Sequence, residues 1–284
     1  MASALNDEMH VQPVDGAGRP YALAGVPGRS ITNIVQSPTK GFDLILSPLA
    51  VGNSPAARRR LFVRHGYMHN AAGAAVKCGL GPQLATTKYE CGQISSAGVY
   101  TSDTTDFVDA GASDFAVSTT VNDTGCILSA SEKWNLSKIV VGAAEGGVAG
   151  TYALSYWNGA SWAALTSYLV DTPDWTAAAT TYLTFFLPSD WATGGQTDAA
   201  ADISALSGKY AIKIKATTAP TVSGAQITSG LIARLDRVQT IGAAAGAEIV
   251  GRYPIICSRG DSLIAYWGTA AATSYVVASG DNNP

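Results

Sequence analysis

Two histidines four residues apart, His65 and His69, form the pair in this sequence whose spacing comes nearest to a metal site. On a helix, residues i and i+4 share a face, and two such imidazoles reach one Zn²⁺. The surrounding residues argue against a helix. Leu61, Phe62 and Val63 favour an extended strand, Gly66 interrupts a helix, and no glutamate follows His65 as the HExxH arrangement requires. No metal is expected there. Carboxylates gather at Asp103, Asp106 and Asp109, and again at Asp171 and Asp174. A carboxylate pair is the machinery of glycoside hydrolysis, but these groups stand in turn-rich sequence, where aspartate bonds its own backbone. The Arg259-Gly260-Asp261 triplet reads as a turn by the same argument. No GxSxG nucleophile elbow is present, and Gly79-Leu80-Gly81 lacks the lysine of a phosphate-cradling loop. The residues point to no catalytic constellation, and no cofactor is expected.

Charge and cysteine content narrow the partners. The 18 Lys and Arg against 21 Asp and Glu give a net charge of −3, which is not the basic balance that displaces counterions from nucleic acid. Arg58, Arg59 and Arg60 form the one basic run, followed by Arg64 and His65, and Arg19 and Arg29 stand in the N-terminal stretch. These six arginines are the candidates for contact with a protein partner, a solvated or inter-subunit face being favoured over phosphate binding. Cys78, Cys91, Cys126 and Cys257 show no CxxC spacing. They read as free, partly buried thiols of a protein made in a reducing cytoplasm, with a Cys78 to Cys91 bridge as the lesser alternative. The first residues lack a basic region leading into an apolar one, and no charge-free apolar run is long enough to span a bilayer. Neither standard export nor a membrane span is expected.

The elements that would position these groups are strands. Charged residues are 14% of the chain and hydrophobic residues 47%, so the chain has the composition to bury a core and is rich in turns. Residues 1–40 are punctuated by Gly and Pro and read as an extended arm with a short β piece at 30–36. Strands are expected at 41–48, 60–69, 105–108, 115–119, 126–130, 136–142, 152–157, 161–164, 182–187, 210–216, 231–238, 248–258, 263–266 and 274–278. The YAIKIK run at 210–215 places Tyr210, Ile212 and Ile214 on one face, with Lys213 and Lys215 on a wet one. A turn or two of helix is expected at 198–206, a loop at 241–247, and a frayed tail at 279–284. The expected organisation is an arm at 1–40, a β-rich attachment region at 41–100, a sandwich at 101–240, and a C-terminal β segment at 241–284 that joins the attachment region.

The most informative stretch is aromatic. The YWNGASW segment at 156–162 reads as a hairpin turning at Asn158-Gly159, with Trp157 and Trp162 on its two arms, since both turn residues tolerate positive φ. The strand at 182–187 then closes in PSDW at 188–191, and KYAIKIK follows at 209–215. Tyr156, Trp157, Trp162 and Trp191 carry two readings, together with Trp175. They are anchors in the core or at a subunit contact, or else a platform on which sugar rings stack. This series, with DTTDFVD at 103–109 and WNLSKIV at 134–140 upstream, resembles β-sandwich modules that recur in structural proteins of tailed-bacteriophage virions, over residues 100–238. The resemblance implies an all-β fold, an antiparallel, jelly-roll-like β-sandwich with an extended N-terminal arm and further β segments at both ends. It also implies a non-enzymatic particle protein at the capsid surface. As a decoration or cement protein it would bind the major capsid protein and its own copies, a trimer being the expected closed assembly. The alternative is a tail, baseplate or head-fibre adhesin whose partner is a host glycan.

Overall fold

The computed structural model describes residues 30–37, 41–46, 60–70, 75–111, 115–168, 172–199, 201–243, 245–248, 255–258, 261–267 and 274–283. The strand pairs whose register is defined among them run antiparallel, and regular helix is confined to one five-residue segment and two 3₁₀ turns. The chain divides into two compact units, one built from residues 1–85 and 235–284, the other from Thr86–Arg234. The inserted unit begins at Thr86 rather than at 101, because the Tyr89–Ile94 strand pairs along Gly125–Ala130 and so belongs to its sheet.

In the first unit, Arg60–Asn70 is the central ladder. It pairs along Ser274–Asn283 on one side and with Ala245–Glu248 and Ile255–Ser258 on the other, and Ser30–Ser37 adds outside Ser274–Asn283. Ser279 to Asn283, expected to fray, is thus ladder backbone, with strand partners on both sides up to Asp281 and on one side at Asn282 and Asn283. Ala245–Glu248 likewise takes a strand conformation in place of the expected loop. A second group runs Arg237–Ile241, Val76–Gln83, Ser262–Trp267 and Gly41–Leu46 in that order. Cys78, Leu80, Ile255, Cys257, Leu263 and Tyr266 form the dry interior of this unit.

The inserted unit is a two-sheet sandwich. One sheet has the order Trp162–Ala164, Thr151–Trp157, Tyr210–Thr218, Gly125–Ala130, Tyr89–Ile94, Tyr100–Ser102. The facing strands are Thr180–Thr184, Leu136–Ala143 and Gln226–Ala233, with Phe115–Ala116 paired beside the last. Its interior holds Cys91, Cys126, Leu128, Ile139, Ile212, Ile214 and Ile232, all fully or almost fully buried. The expected strand at 231–238 is two strands, Gln226–Ala233 and Arg237–Ile241, one in each unit. The expected strand at 105–108 is instead a short helix, Thr104–Val108. Phe107 explains it: the helix drops this fully buried ring onto Gly230, where a Cβ would lie 2.3 Å from the ring.

A third layer covers the outer face of the six-stranded sheet. Residues 198–206, expected as helix, form a small hairpin, Thr197–Asp198 with Ala201–Asp202, followed by a 3₁₀ turn at Ser204–Leu206. Ile203 and Leu206 pack on Ile94, Ile127 and Ala211, with Tyr100 and Trp162 at the margin. The face carrying Lys213 is therefore dry, and the alternation of the YAIKIK strand separates two buried faces instead of a core face and a wet one.

All four cysteines are free and buried. Burial pushes the Cys78 and Cys91 thiols up to about 12 and raises Cys126 as well, so the nucleophilic thiolate is scarce at neutral pH. A thiol-reactive chromophore at pH 8 is expected to label none of the four within minutes in the native protein and all four in denaturant. Rapid native labelling of even one would show that its unit opens locally.

Candidate functional site

The aromatic hairpin forms where the sequence places it, with a different turn. Trp157 pairs with Trp162 across the two arms, and four residues make the connection. Gly159 has φ +97°, the left-handed region that glycine enters without cost, whereas Asn158 does not. Asn158 works through its side chain: Oδ1 accepts from the amides of Ala160 and Ser161 at 3.0 and 2.8 Å. The two indoles meet edge to face with centroids 5.5 Å apart.

The indole N–H groups show what these residues do. Trp157 donates to the Gly194 carbonyl at 2.9 Å, Trp162 to Thr197 at 2.7 Å, Trp191 to Ala211 at 3.2 Å and Trp134 to Tyr210 at 3.0 Å. Each ties one segment of chain to another, and two of them hold down the connection that leads into the covering layer. Trp157, Trp175 and Trp191 are buried, and Trp162 is half-buried with Lys213 Nζ 4.5 Å above its ring. Tyr156 reaches outward, donating to Asp190 Oδ1 at 2.9 Å. This arrangement is that of anchors, and no open row of coplanar rings is formed among these five residues.

Beneath the hairpin lies an ion cluster that the sequence reading missed. Asp198 Oδ1 accepts from Lys213 Nζ at 2.5 Å and its Oδ2 from Lys215 Nζ at 3.1 Å. The Asp198 and Lys213 side chains are 7% and 9% exposed, so neither charge is screened by water. Burial pulls the Lys213 ammonium below its ordinary value, and the Asp198 carboxylate opposes that pull. The signal was faint in the sequence, because only the covering layer brings Asp198 onto the lysine face.

The covering layer also explains Gly98. Its φ is +80°, and a Cβ there would stand 2.1 Å from the Asp198 carbonyl oxygen. Gly98→Ala is expected to cost more than about 1 kcal/mol, both terms acting in the same direction, in a chemical denaturation curve. An unchanged midpoint would mean that the layer shifts freely.

The remaining candidates divide by location. Arg19, Arg29, Arg58, Arg59, Asp171, Arg259 and Gly260 lie outside the described residues, as does the arm before Ser30. Arg60, Arg64, His65 and His69 share the Arg60–Asn70 strand. Four residues along a strand separate Cα atoms by about 13 Å, so His65 and His69 do not have the proximity that the same spacing gives on a helix. Asp261, the last residue of the RGD triplet, is 1% exposed and accepts from the amides of Ala85 and Ser258 at 2.9 and 3.0 Å. It staples a turn. Asp109 and Asp174 accept backbone amides two residues ahead, from Gly111 and Thr176, and Asp103 accepts from Gln93 at 3.1 Å.

The comparisons add no relative: no protein-family model, no curated protein and no solved structure matches this chain.

Proposed function

We propose that this chain is a non-enzymatic structural protein of a tailed-bacteriophage particle, acting as a capsid decoration or cement protein. The observation that carries the reading is the use made of the motif residues. The tryptophans of the segments resembling phage modules end on backbone carbonyls, and Asp198, Asp261 and Asp174 are likewise engaged in holding turns and layers. Such side chains suit a rigid building block. In this reading the major capsid protein is the partner, the arm and Arg19, Arg29, Arg58, Arg59, Arg60 and Arg64 supply the contact, and copies of the chain associate around a symmetry axis. Many individually weak contacts then hold a shell together by acting at once.

Cryo-electron microscopy of the intact particle tests this. A copy number that follows the icosahedral lattice, with the first forty residues on capsid protein, is the expected result. A few copies below the portal, or particles of normal stability when made without this protein, would overturn it.

A further inference from the structure

The loops of the inserted unit fall at two poles, and register assigns each one. Ile94 pairs with Gly125, Lys215 with Gly125, Thr151 with Thr218, and Gln226 with Ala143. The connections 95–99, 117–124, 144–150 and 219–225 therefore gather at one pole. The unit's own chain ends lie at the other, where Tyr89 pairs with Ala130 and Ala233 with Leu136. The aromatic hairpin is also at that second pole; of the tryptophans, Trp175 lies behind the four-loop pole, its carbonyl accepting from the Glu145 amide at 3.0 Å and its ring meeting that of Tyr152.

Each of the four loops carries an exposed valine. Val99, Val121, Val148 and Val222 are 60%, 53%, 70% and 68% exposed, more than Phe186 at 54% in all but one case. An open cleft of about 400 Å³ lies between the first two loops, with Gln93, Ser96, Thr101 and Thr119 among its lining residues and Val99 and Val121 on its rim. No charged side chain lines it. Among the described residues, the Ser96 and Thr101 hydroxyls make no hydrogen bond within the protein, leaving donors and acceptors available. The fourth loop is tied to the second and the third, and the first two are each closed on themselves. Asn122 Oδ1 accepts from the Ala219 amide at 2.7 Å, Thr221 Oγ1 from Val148 at 2.9 Å, Ser95 Oγ from Val99 at 3.1 Å and Thr124 Oγ1 from Thr119 at 2.9 Å.

We infer that this cleft binds a neutral saccharide. A sugar ring presents hydroxyls at its edge and C–H groups on its face, which matches hydroxyl and amide groups flanked by valine methyls. An ionic ligand would leave its charge uncompensated there. A purely apolar ligand would strip water from Ser96, Thr101 and Gln93 without replacing its hydrogen bonds. Loops already held in place lower the ordering cost of binding, and the volume is in the range of small-molecule sites. The inference stands apart from any location in a particle.

The test is methyl NMR of the full chain titrated with glucose, galactose, mannose, N-acetylglucosamine, maltose, cellobiose, lactose and chitobiose. Saturable shifts of the Val99 and Val121 methyls with at least one sugar, at dissociation constants of about 1 mM or tighter, are expected. Thr101→Lys and, separately, Ser96→Lys should each weaken that binding at least tenfold, while Tyr156→Phe, at the opposite pole, leaves it unchanged. The methyl spectrum itself reports whether each variant is folded. No saturable shift at either valine across the eight sugars would overturn the inference. So would binding that survives both lysine variants, or binding abolished by Tyr156→Phe.

Discussion

Replacing Asp198 by alanine is expected to destabilise the inserted unit by about 3 to 5 kcal/mol, the usual cost of leaving a buried charge without its partner. Lys213 is then a cation 9% exposed, under an indole, with Lys215 beside it, no ion-paired carboxylate, and only the weaker charge of Asp123 in its favour. Denaturation followed by tryptophan fluorescence reads this unit, because Trp267 alone of the six tryptophans lies outside residues 86–234. The pH dependence follows from the sign of the Lys213 shift. Burial lowers its folded pKa below the unfolded value of about 10.4, so the unfolded chain holds the proton more tightly. Stability from this group is present above the unfolded pKa and is lost as pH falls through the folded one. Removing Asp198 takes away the opposing charge and widens that window, so the deficit relative to the parent protein should narrow between pH 7 and 10. A deficit independent of pH would place the effect in lost packing of the covering layer.

The companion variant separates charge from shape. Lys213→Met combined with Asp198→Ala removes both buried charges and keeps the apolar stem, and it is expected to recover more than half of the loss. Lys215 is 18% exposed and has the stem length to reach water. If the double variant is as unstable as Asp198→Ala, the carboxylate matters for the hairpin turn at 198–201, where Ala199 already sits at φ +44°, and not for its cations.

The same cluster marks the limit of what could be read from residues alone. Strands with local signatures were legible: β-branched runs bounded by turns gave Ser30–Ser37, Arg60–Asn70, Leu136–Ala143, Thr151–Trp157 and Ser262–Trp267 to within one or two residues. Val76–Gln83 was not, since VKCGLGPQ contains two glycines and a proline and becomes a strand only through neighbours on both sides. Lys213 was read as solvated because period-2 alternation says which residues share a face, never what covers it. The covering segment is short and alanine-rich, and its hold comes from tertiary contacts, namely Asp198 on two lysines and Ile203 and Leu206 on a sheet face. The roles of the tryptophans were open for a related reason. An indole on a sandwich anchors or stacks depending on its exposure, and sequence does not carry exposure.

Trp134 shows the other side of that argument, having been read only as the first residue of a strand-leading segment. It is fully buried and packs edge to face against Phe185 and Trp191, centroids 5.2 and 5.7 Å away, while Trp191 meets Tyr210 at 5.5 Å. These rings plug the pole of the sandwich where the chain enters and leaves, and the Trp134 N–H spans 76 residues to reach the Tyr210 carbonyl. Truncation to alanine empties the centre of the plug, and such losses cost about 3 to 5 kcal/mol where neighbours relax only in part. Trp134→Ala is therefore expected to lower the unfolding midpoint of the inserted unit as far as Asp198→Ala does, but without pH dependence. Its near-ultraviolet circular dichroism should collapse while the far-ultraviolet strand signal stays. Trp134→Phe keeps an aromatic edge for Phe185 and Trp191 and loses mainly the hydrogen bond, so its cost should fall to about 1 to 3 kcal/mol. Should both variants cost less than about 1 kcal/mol, the pole would be held by the covering layer and its ion cluster, and the aromatic plug would be filling space that the sandwich closes by other means.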